Sequence, residues 1–295
     1  MTKVLGLIIS FLVFPQILFA VPGDLRQSCY EMQVDGYNAE TCIYSFPDSS
    51  KDTLVYHLHA GGRDAKTWIK WDVFTKLRNE WKRQNLRPPT FVTISFGPIW
   101  LLKDFSSDAK RPLIEVYNGI QSAVEKNLIS IGYGPVNSRI ILGESMGGIN
   151  SILALALGNK DLPYQKAAIL CAAVAPIGPY SAKEEIESYI QRHRNNSIEP
   201  AAVQNILVSW LGQEYPSAEL WKKYNSLKLF GEIPALPGDI YISANTDDLL
   251  GLSEGNKTLY EIGRGLHKNV EFKLVPGPHC AYEYSSLAKF LGTAY

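Results

Sequence analysis

Ser145 lies in Gly143-Glu144-Ser145-Met146-Gly147, a G-x-S-x-G pattern set between the branched apolar run Arg139–Leu142 and the helically spaced stretch Ile149–Ala156. Strand, sharp turn and helix in that order lift a serine hydroxyl clear of the backbone, and the glycines leave room for the crowded turn. A serine hydroxyl is a poor nucleophile at neutral pH and needs a base, which in turn needs a group to hold its tautomer. The chain has five histidines. His57 and His59 fall in or at the end of an apolar strand, His193 falls in an irregular insertion, and His267 precedes the last strand within a charged helix. His279 follows that last strand in Val275-Pro276-Gly277-Pro278-His279, where two prolines and a glycine hold the backbone open at a strand's carboxyl end. It is the best candidate base. The third group is expected in the loop Ala244-Asn245-Thr246-Asp247-Asp248, as Asp247 or Asp248. Serine, acid, histidine is the chain order that accompanies a nucleophile on such an elbow.

Acyl transfer also needs donors aimed at the oxygen that becomes negative, each worth about 2.7–4 kcal/mol. The backbone N–H of Met146, at the start of the helix, is one candidate. Gly61 and Gly62, where an apolar strand ends in Leu58-His59-Ala60-Gly61-Gly62, offer a second, and Gly61 is preferred.

These groups must be positioned by a regular scaffold. Strands are expected at Cys29–Val34, Thr41–Phe46, Thr53–His59, Phe91–Phe96, Arg139–Ser145, Ala167–Ala172, Asp239–Ser243 and Val270–Val275. Helices are expected at Thr67–Asn85, with tryptophans at 68, 71 and 81, at Arg111–Ser130 and at Tyr282–Leu291. Strands alternating with helices call for a mostly parallel sheet with helices on both faces, and the opening hairpin around Asp35-Gly36 adds antiparallel strands at one edge. One section breaks the rhythm. Between Pro176 and Pro237 three helices are expected, Ser181–His193, Glu199–Tyr215 and Ser217–Phe230, with Ser181 and Ser217 as N-caps and Glu184 completing a capping box. An insertion at the carboxyl edge of a parallel sheet lies beside the place where such sheets bind ligands, so 176–237 is read as a helical cap between core segments 21–175 and 238–295.

The 295-residue chain is 46% apolar and carries 29 basic and 29 acidic residues. Met1–Ala20 has Lys3, an apolar run from Val4 to Phe14 and a small residue at Ala20, the layout of a secretory signal peptide; Pro15 and Gln16 interrupt the run short of a membrane span. Cleavage after Ala20 leaves one net negative charge, which argues against nucleic acid or an anionic membrane surface as a partner and leaves no membrane anchor. Export places the protein in a periplasm or outside the cell and makes disulfides permissible for the four cysteines. Cys29 and Cys42 flank the hairpin turn and suit a bridge across it. Cys171 and Cys280 both fall where strands end, consistent with a second bridge or with two buried thiols.

The motifs Leu58-His59-Ala60-Gly61-Gly62 and Gly143-Glu144-Ser145-Met146-Gly147-Gly148, with Asp248 and His279, resemble the α/β-hydrolase fold, and within it the group of esterase D, feruloyl esterases and polyhydroxyalkanoate depolymerases. That resemblance implies a serine esterase working through an acyl-enzyme on a small or polymer-derived carboxylic ester. It places the acid at Asp248, by matching Asn245-Thr246-Asp247-Asp248 to G-x-x-D, and the second oxyanion donor at Gly61, where Ala60 replaces the first glycine of the usual His-Gly-x. It also puts Gly97–Leu102 near the site mouth, as an apolar pocket or as core, with Trp100 and Glu144 as substrate contacts. No metal or organic cofactor is called for, and neither C-x-x-C nor H-E-x-x-H occurs. The competing readings are a serine peptidase or acyltransferase on the same fold and a non-catalytic binding protein on a hydrolase scaffold.

Overall fold

The computed structural model describes residues 23–103, 111–174, 188, 191–192, 223, 225–233, 237–266 and 269–295. The expected leader 1–20 and, apart from isolated positions, the expected cap helices 181–193 and 199–215 lie outside the described residues.

Eight strands form one sheet: β1 (Arg26–Val34), β2 (Tyr37–Ser45), β3 (Thr53–Leu58), β5 (Thr90–Ser95), β6 (Ser138–Glu144), β7 (Lys166–Leu170), β8 (Asp239–Asp247) and β9 (Asn269–Pro278). Their spatial order is β1-β2-β5-β3-β6-β7-β8-β9. The hairpin β1–β2 pairs antiparallel and β2 runs antiparallel to β5, whereas every pairing from β5 through β9 is parallel. Two short strands, β4 (Leu86–Arg87) and β10 (Thr293–Ala294), pair separately and tie down the C-terminus. All six residues of β3 and of β5 are buried, as expected of parallel strands covered on both faces.

On one face lie α3 (Leu113–Ser130), α4 (Met146–Leu157), α5 (Ser226–Glu232) and α6 (Ser253–Gly265), whose Ile120, Ile152, Phe230 and Leu259 share a core with Tyr56, Ile141 and Ile242 of the sheet. On the other lie α1 (Thr67–Lys70), α2 (Val73–Arg83) and α7 (Tyr284–Leu291), where Trp68, Leu77, Trp81 and Leu287 pack on Val55, Phe91 and Leu142. The hairpin turn has Asp35 and Gly36 both at positive φ, which matches the twist of the strands it joins. Cys29 and Cys42 stand directly opposite one another and are bridged.

Two expected helices take a different form. The stretch Thr67–Asn85 is two helices, because Asp72 adopts φ 58°, a left-handed conformation that aspartate tolerates better than most residues. The break leaves Trp68 and Trp81 buried and Trp71 42% exposed. Of the helix expected at Ser217–Phe230, most of the part before Asn225 lies outside the described residues, and α5 begins after Asn225, whose side chain accepts from the Lys228 N–H at 3.0 Å and caps it.

Three glycines let α4 approach the sheet closely. A Cβ on Gly147 would overlap the Leu58 carbonyl oxygen, one on Gly143 would overlap the Gly147 carbonyl, and one on Gly148 would come within 2.6 Å of the Ala172 Cβ. Gly147→Ala is therefore expected to lower the unfolding free energy by about 3 kcal/mol or more, the upper range for overpacking, whereas Gly265→Ala, where a Cβ meets nothing within 4 Å, leaves it unchanged or higher. Urea unfolding midpoints of the two variants check this; equal midpoints would overturn the steric account.

Candidate active site

Ser145 occupies the turn between β6 and α4 with φ 53° and ψ −113°, a conformation costing a non-glycine residue about 1–3 kcal/mol. The turn is held from beneath. The Ser145 N–H donates to the Leu170 carbonyl at 3.0 Å, and the Ser145 carbonyl accepts from Gly148 and Ala173 N–H groups at 2.9 and 3.0 Å. Strain at one residue is thus over-determined by bonds to β7 and the loop after it.

The structure brings the serine, the histidine and one aspartate into a single chain of hydrogen bonds. His279 Nε2 lies 2.9 Å from Ser145 Oγ, and His279 Nδ1 lies 2.9 Å from Asp248 Oδ2. A carboxylate can only accept, so Nδ1 carries the proton and Nε2 is left to accept from the hydroxyl. Asp248 is 5% exposed, and its other oxygen accepts from the Leu250 N–H at 2.9 Å. Asp247 is exposed at the end of β8, across a register shift between Asn245 and Asp247. Asp247 is the last residue of β8 and Asp248 the first beyond it, and the two adjacent side chains point apart, one to solvent and the other to the histidine.

The loop carrying His279 is anchored on both sides. Asn245, fully buried on β8, accepts from the Cys280 N–H at 2.9 Å through Oδ1 and donates to the Ala281 carbonyl at 3.0 Å through Nδ2. Cys280 is bridged to Cys171 at the end of β7, so the residue after the histidine is covalently tied to the strand that supports the serine turn. Buried Asn256 of α6 makes a matching clamp on Ala172, accepting from its N–H at 3.0 Å and donating to its carbonyl at 2.8 Å. Asn245 is visible in the sequence only as a member of the loop that carries the aspartates, and nothing there signals the clamp of Asn256, whose partner Ala172 is 84 residues away.

The glycine loop after β3 faces the serine turn. Gly61 lies beside Met146, with a Cβ at that position 3.8 Å from the Met146 Cβ. The Gly62 N–H donates to the Pro98 carbonyl at 2.8 Å and is committed. The Met146 N–H belongs to the first turn of α4, where a helix leaves its amides without intrahelical acceptors.

His59, buried, donates from Nδ1 to the Ala60 carbonyl at 2.8 Å; its Nε2 accepts from Ser95 Oγ at 2.7 Å and from Trp100 Nε1 at 3.3 Å. This pattern requires the neutral ring, and burial lowers its pKa below the ordinary histidine value. Trp100 is 6% exposed and is engaged with His59 beneath the mouth; the neighbouring Ile99 takes the place at the cavity wall. Asn150 of α4 pins this segment, accepting from the Leu102 N–H at 2.9 Å and donating to the Trp100 carbonyl at 3.2 Å.

Glu144, the residue before the serine, borders the cavity, but its carboxylate is taken up internally. Oε1 accepts from His57 Nε2 at 3.1 Å and from Trp68 Nε1 at 3.0 Å, and Oε2 accepts from the Tyr282 hydroxyl. Burial pushes this carboxyl up, but the hydrogen bonds from His57, Tyr282 and Trp68 outweigh it and hold Glu144 below the usual carboxylate range. Burial and the Glu144 charge push the Tyr282 hydroxyl well up.

Above Ser145 opens a cavity of about 300 Å³, whose walls include Gly61, Ile99, Met146, Leu250 and His279, with Arg63 and Trp71 toward its rim. It sits at the carboxyl ends of the central parallel strands, where open α/β sheets bind ligands.

A sheet of this order, a serine elbow after β6 and a histidine after β9 define the α/β-hydrolase fold, and the chain has that fold. Among solved structures it is similar to a ferulic acid esterase (15% identity, TM-score 0.55, covering 90% of this chain and 95% of that one). It is also similar to an esterase from Pyrobaculum calidifontis (16%, 0.61, 90% and 83%) and to brefeldin A esterase, described as a bacterial homologue of human hormone sensitive lipase (16%, 0.60, 94% and 76%). No protein-family model matches the chain, and no curated protein matches it by sequence.

Two stability predictions follow from the site's supports. The Cys171–Cys280 bridge closes a span of 109 residues, and replacing both cysteines with alanine is expected to cost about 4–5 kcal/mol by loop entropy, read from urea unfolding under non-reducing conditions. A loss below about 1 kcal/mol would show that the bridge constrains little. For His59, whose folded pKa is lowered, the stability contribution is full above the unfolded value near 6.5 and is lost as pH falls below it. The decline in unfolding free energy from pH 7 to pH 5 should therefore be shallower in His59→Gln than in the parent protein; parallel curves would contradict the neutral-ring assignment.

Proposed function

We propose that this protein is an exported serine esterase that cleaves carboxylic esters through an acyl-enzyme. The observation that carries the reading is the unbroken hydrogen-bond chain Ser145 Oγ, His279 Nε2, His279 Nδ1, Asp248 Oδ2, with both links at 2.9 Å, opening into a cavity at the sheet's carboxyl edge. Ser145 Oγ attacks the ester carbonyl while His279 Nε2 takes its proton. Asp248 holds the imidazole in the required tautomer and stabilises its cation. The N–H groups of Met146 and Gly61 stabilise the oxyanion of the tetrahedral intermediate. Collapse of that intermediate passes the His279 proton to the departing alkoxide, so an alcohol leaves and the acyl group stays on Ser145. Water, deprotonated by His279, then adds to the acyl-enzyme, and the carboxylic acid departs as Ser145 regains its proton.

The esterases among the structural neighbours support ester over amide as the scissile bond, and two disulfides suit an oxidising, exported location. Among the described residues no helix is long and apolar enough to cross a membrane.

With 4-nitrophenyl acetate as substrate, Ser145→Ala is expected to lower kcat by about 10⁴-fold or more and to abolish labelling by a fluorophosphonate. Asp248→Asn should cost about 10⁴-fold in kcat, and Asp247→Asn, in the exposed neighbour, should stay within about twofold. Equal losses at the two aspartates would reject the assignment of the acid. Turnover of a proline-containing peptide amide without turnover of esters would reject the ester reading itself.

A further inference from the structure

The cavity above Ser145 is apolar along most of its wall, and one of its residues does not fit an uncharged ligand. Arg63 follows the glycine loop directly and places its guanidinium over the ring of Trp71, 3.6 Å from the ring centroid. Both residues line the cavity that holds Ser145 and His279. Among the described residues Arg63 makes no ion pair. Of the carboxylates close to it in the chain and on the adjoining hairpin, Asp64 is engaged by Lys70 and Glu40 by Lys66, while Glu31, which borders a separate groove with Arg63, makes no ion pair with it. Glu144, the acidic residue that also borders the cavity, is occupied by His57, Trp68 and Tyr282.

The backbone places the pair where it is. The left-handed Asp72 ends α1 at Lys70 and leaves Trp71 at the rim of the cavity, 42% exposed, instead of on the buried face with Trp68. A guanidinium held over an aromatic ring is restrained in orientation, and its N–H edge remains available for planar, bidentate contact with a carboxylate. A volume of about 300 Å³ lies at the small end of ligand sites and suits a small ester. Ile99, Leu250 and Met146 suit the apolar body of such a molecule, and the Arg63 edge suits an anionic end.

Resting on the esterase reading above, we propose that Arg63, stacked on Trp71, is a specificity-determining residue, and that the substrate is a small carboxylic ester carrying a second, free carboxylate group. Hydrolysis then gives products that together carry one more negative charge than the substrate and releases a proton: a dicarboxylate and an alcohol if the free carboxylate sits on the acyl portion, or a hydroxy-acid and a simple acid, each singly charged, if it sits on the alcohol portion. Two matched pairs of esters separate these sources. 4-Nitrophenyl hemiglutarate and 4-nitrophenyl valerate differ by a carboxylate on the acyl side, and 4-carboxyphenyl acetate and 4-methylphenyl acetate differ by one on the alcohol side. In one of the pairs kcat/KM should favour the charged member by at least about tenfold, and the preference should weaken with rising salt. Arg63→Gln should reduce that ratio by about 10- to 100-fold, as expected for losing a charge-assisted hydrogen bond, with Arg63→Lys intermediate. A ratio near one in both pairs, or a ratio unchanged in Arg63→Gln, overturns the inference while leaving the esterase reading intact, provided the neutral esters are turned over. If none of the four esters is turned over, the esterase reading fails, and the anion site is decided separately by ligand-observed NMR on the Ser145→Ala protein. There, monomethyl glutarate should bind more tightly than dimethyl glutarate and lose that advantage in the Ser145→Ala/Arg63→Gln protein; equal binding overturns the inference.

Discussion

The first turn of α4 lies close against the carboxyl ends of β3 and β7, and the remaining geometry of the site follows from it. Gly147 sits against the Leu58 carbonyl, Gly148 against Ala172 and Gly143 against Gly147, with no space for a Cβ at any of the three. With the helix pressed so near, the chain can only leave β6 through a turn in which Ser145 takes positive φ, and that turn points the hydroxyl upward into the cavity. The same approach sets Met146 beside Gly61, which puts the first amide of the helix and the glycine loop after β3 on one side of the serine. A helix standing even a methyl group further from the sheet would separate these parts.

Holding the turn in place does not by itself bring the histidine to it, since His279 arrives from the far edge of the sheet, past β7 and β8. Three kinds of tether bridge the distance. The Asn245 side chain ties the loop after β9 to β8, the Cys171–Cys280 bridge ties it to the end of β7, and Asn256 holds the residue after Cys171 against α6. Each replaces a flexible loop with a fixed one, so the order of the imidazole is set by its surroundings and not by its contact with the serine.

How much of this was legible in the sequence depended on whether a feature is local or arises from packing. All eight strands of the sheet fall where strands were expected, most closely at β3, whose burial on both faces leaves a continuous hydrophobic signal, while β1, β2, β8 and β9 toward the edges run up to four residues beyond the expected bounds. The serine elbow was readable because its pattern is contiguous in the chain, although only Gly143 is demanded by a local contact, with Gly147, whereas Gly147 and Gly148 answer to Leu58 and Ala172 elsewhere in the fold. By contrast the break between α1 and α2 depends on a left-handed Asp72, for which the tryptophan spacing carries no sign, and a single helix was the natural expectation. The choice between Asp247 and Asp248 likewise rests on which of two adjacent side chains faces the loop after β9, and that shows only once β9 is paired beside β8. Trp100 shows the same limit at one residue's scale, since an apolar segment near the mouth was foreseeable but not that His59 would draw the indole inward and leave Ile99 at the wall.

The polar cluster around Glu144 belongs to this second kind and explains a residue choice that the elbow motif leaves open. An apolar side chain before the serine would avoid the cost of burying a carboxylate and, in terms of stability alone, would serve as well or better. The carboxylate does something an apolar group could not: it accepts from His57 on β3, from Trp68 on α1 and from Tyr282 in the segment after His279. Those donors come from three separate parts of the chain, and hydrogen bonds, unlike apolar contacts, are lost steeply with misalignment. One buried acceptor at the base of the elbow therefore sets the relative position of the strand that leads to Gly61, the helix that leads to Trp71 and the loop that bears His279. Because each donor would be left unsatisfied if its element drifted, the cost of disorder falls on every wall of the cavity at once.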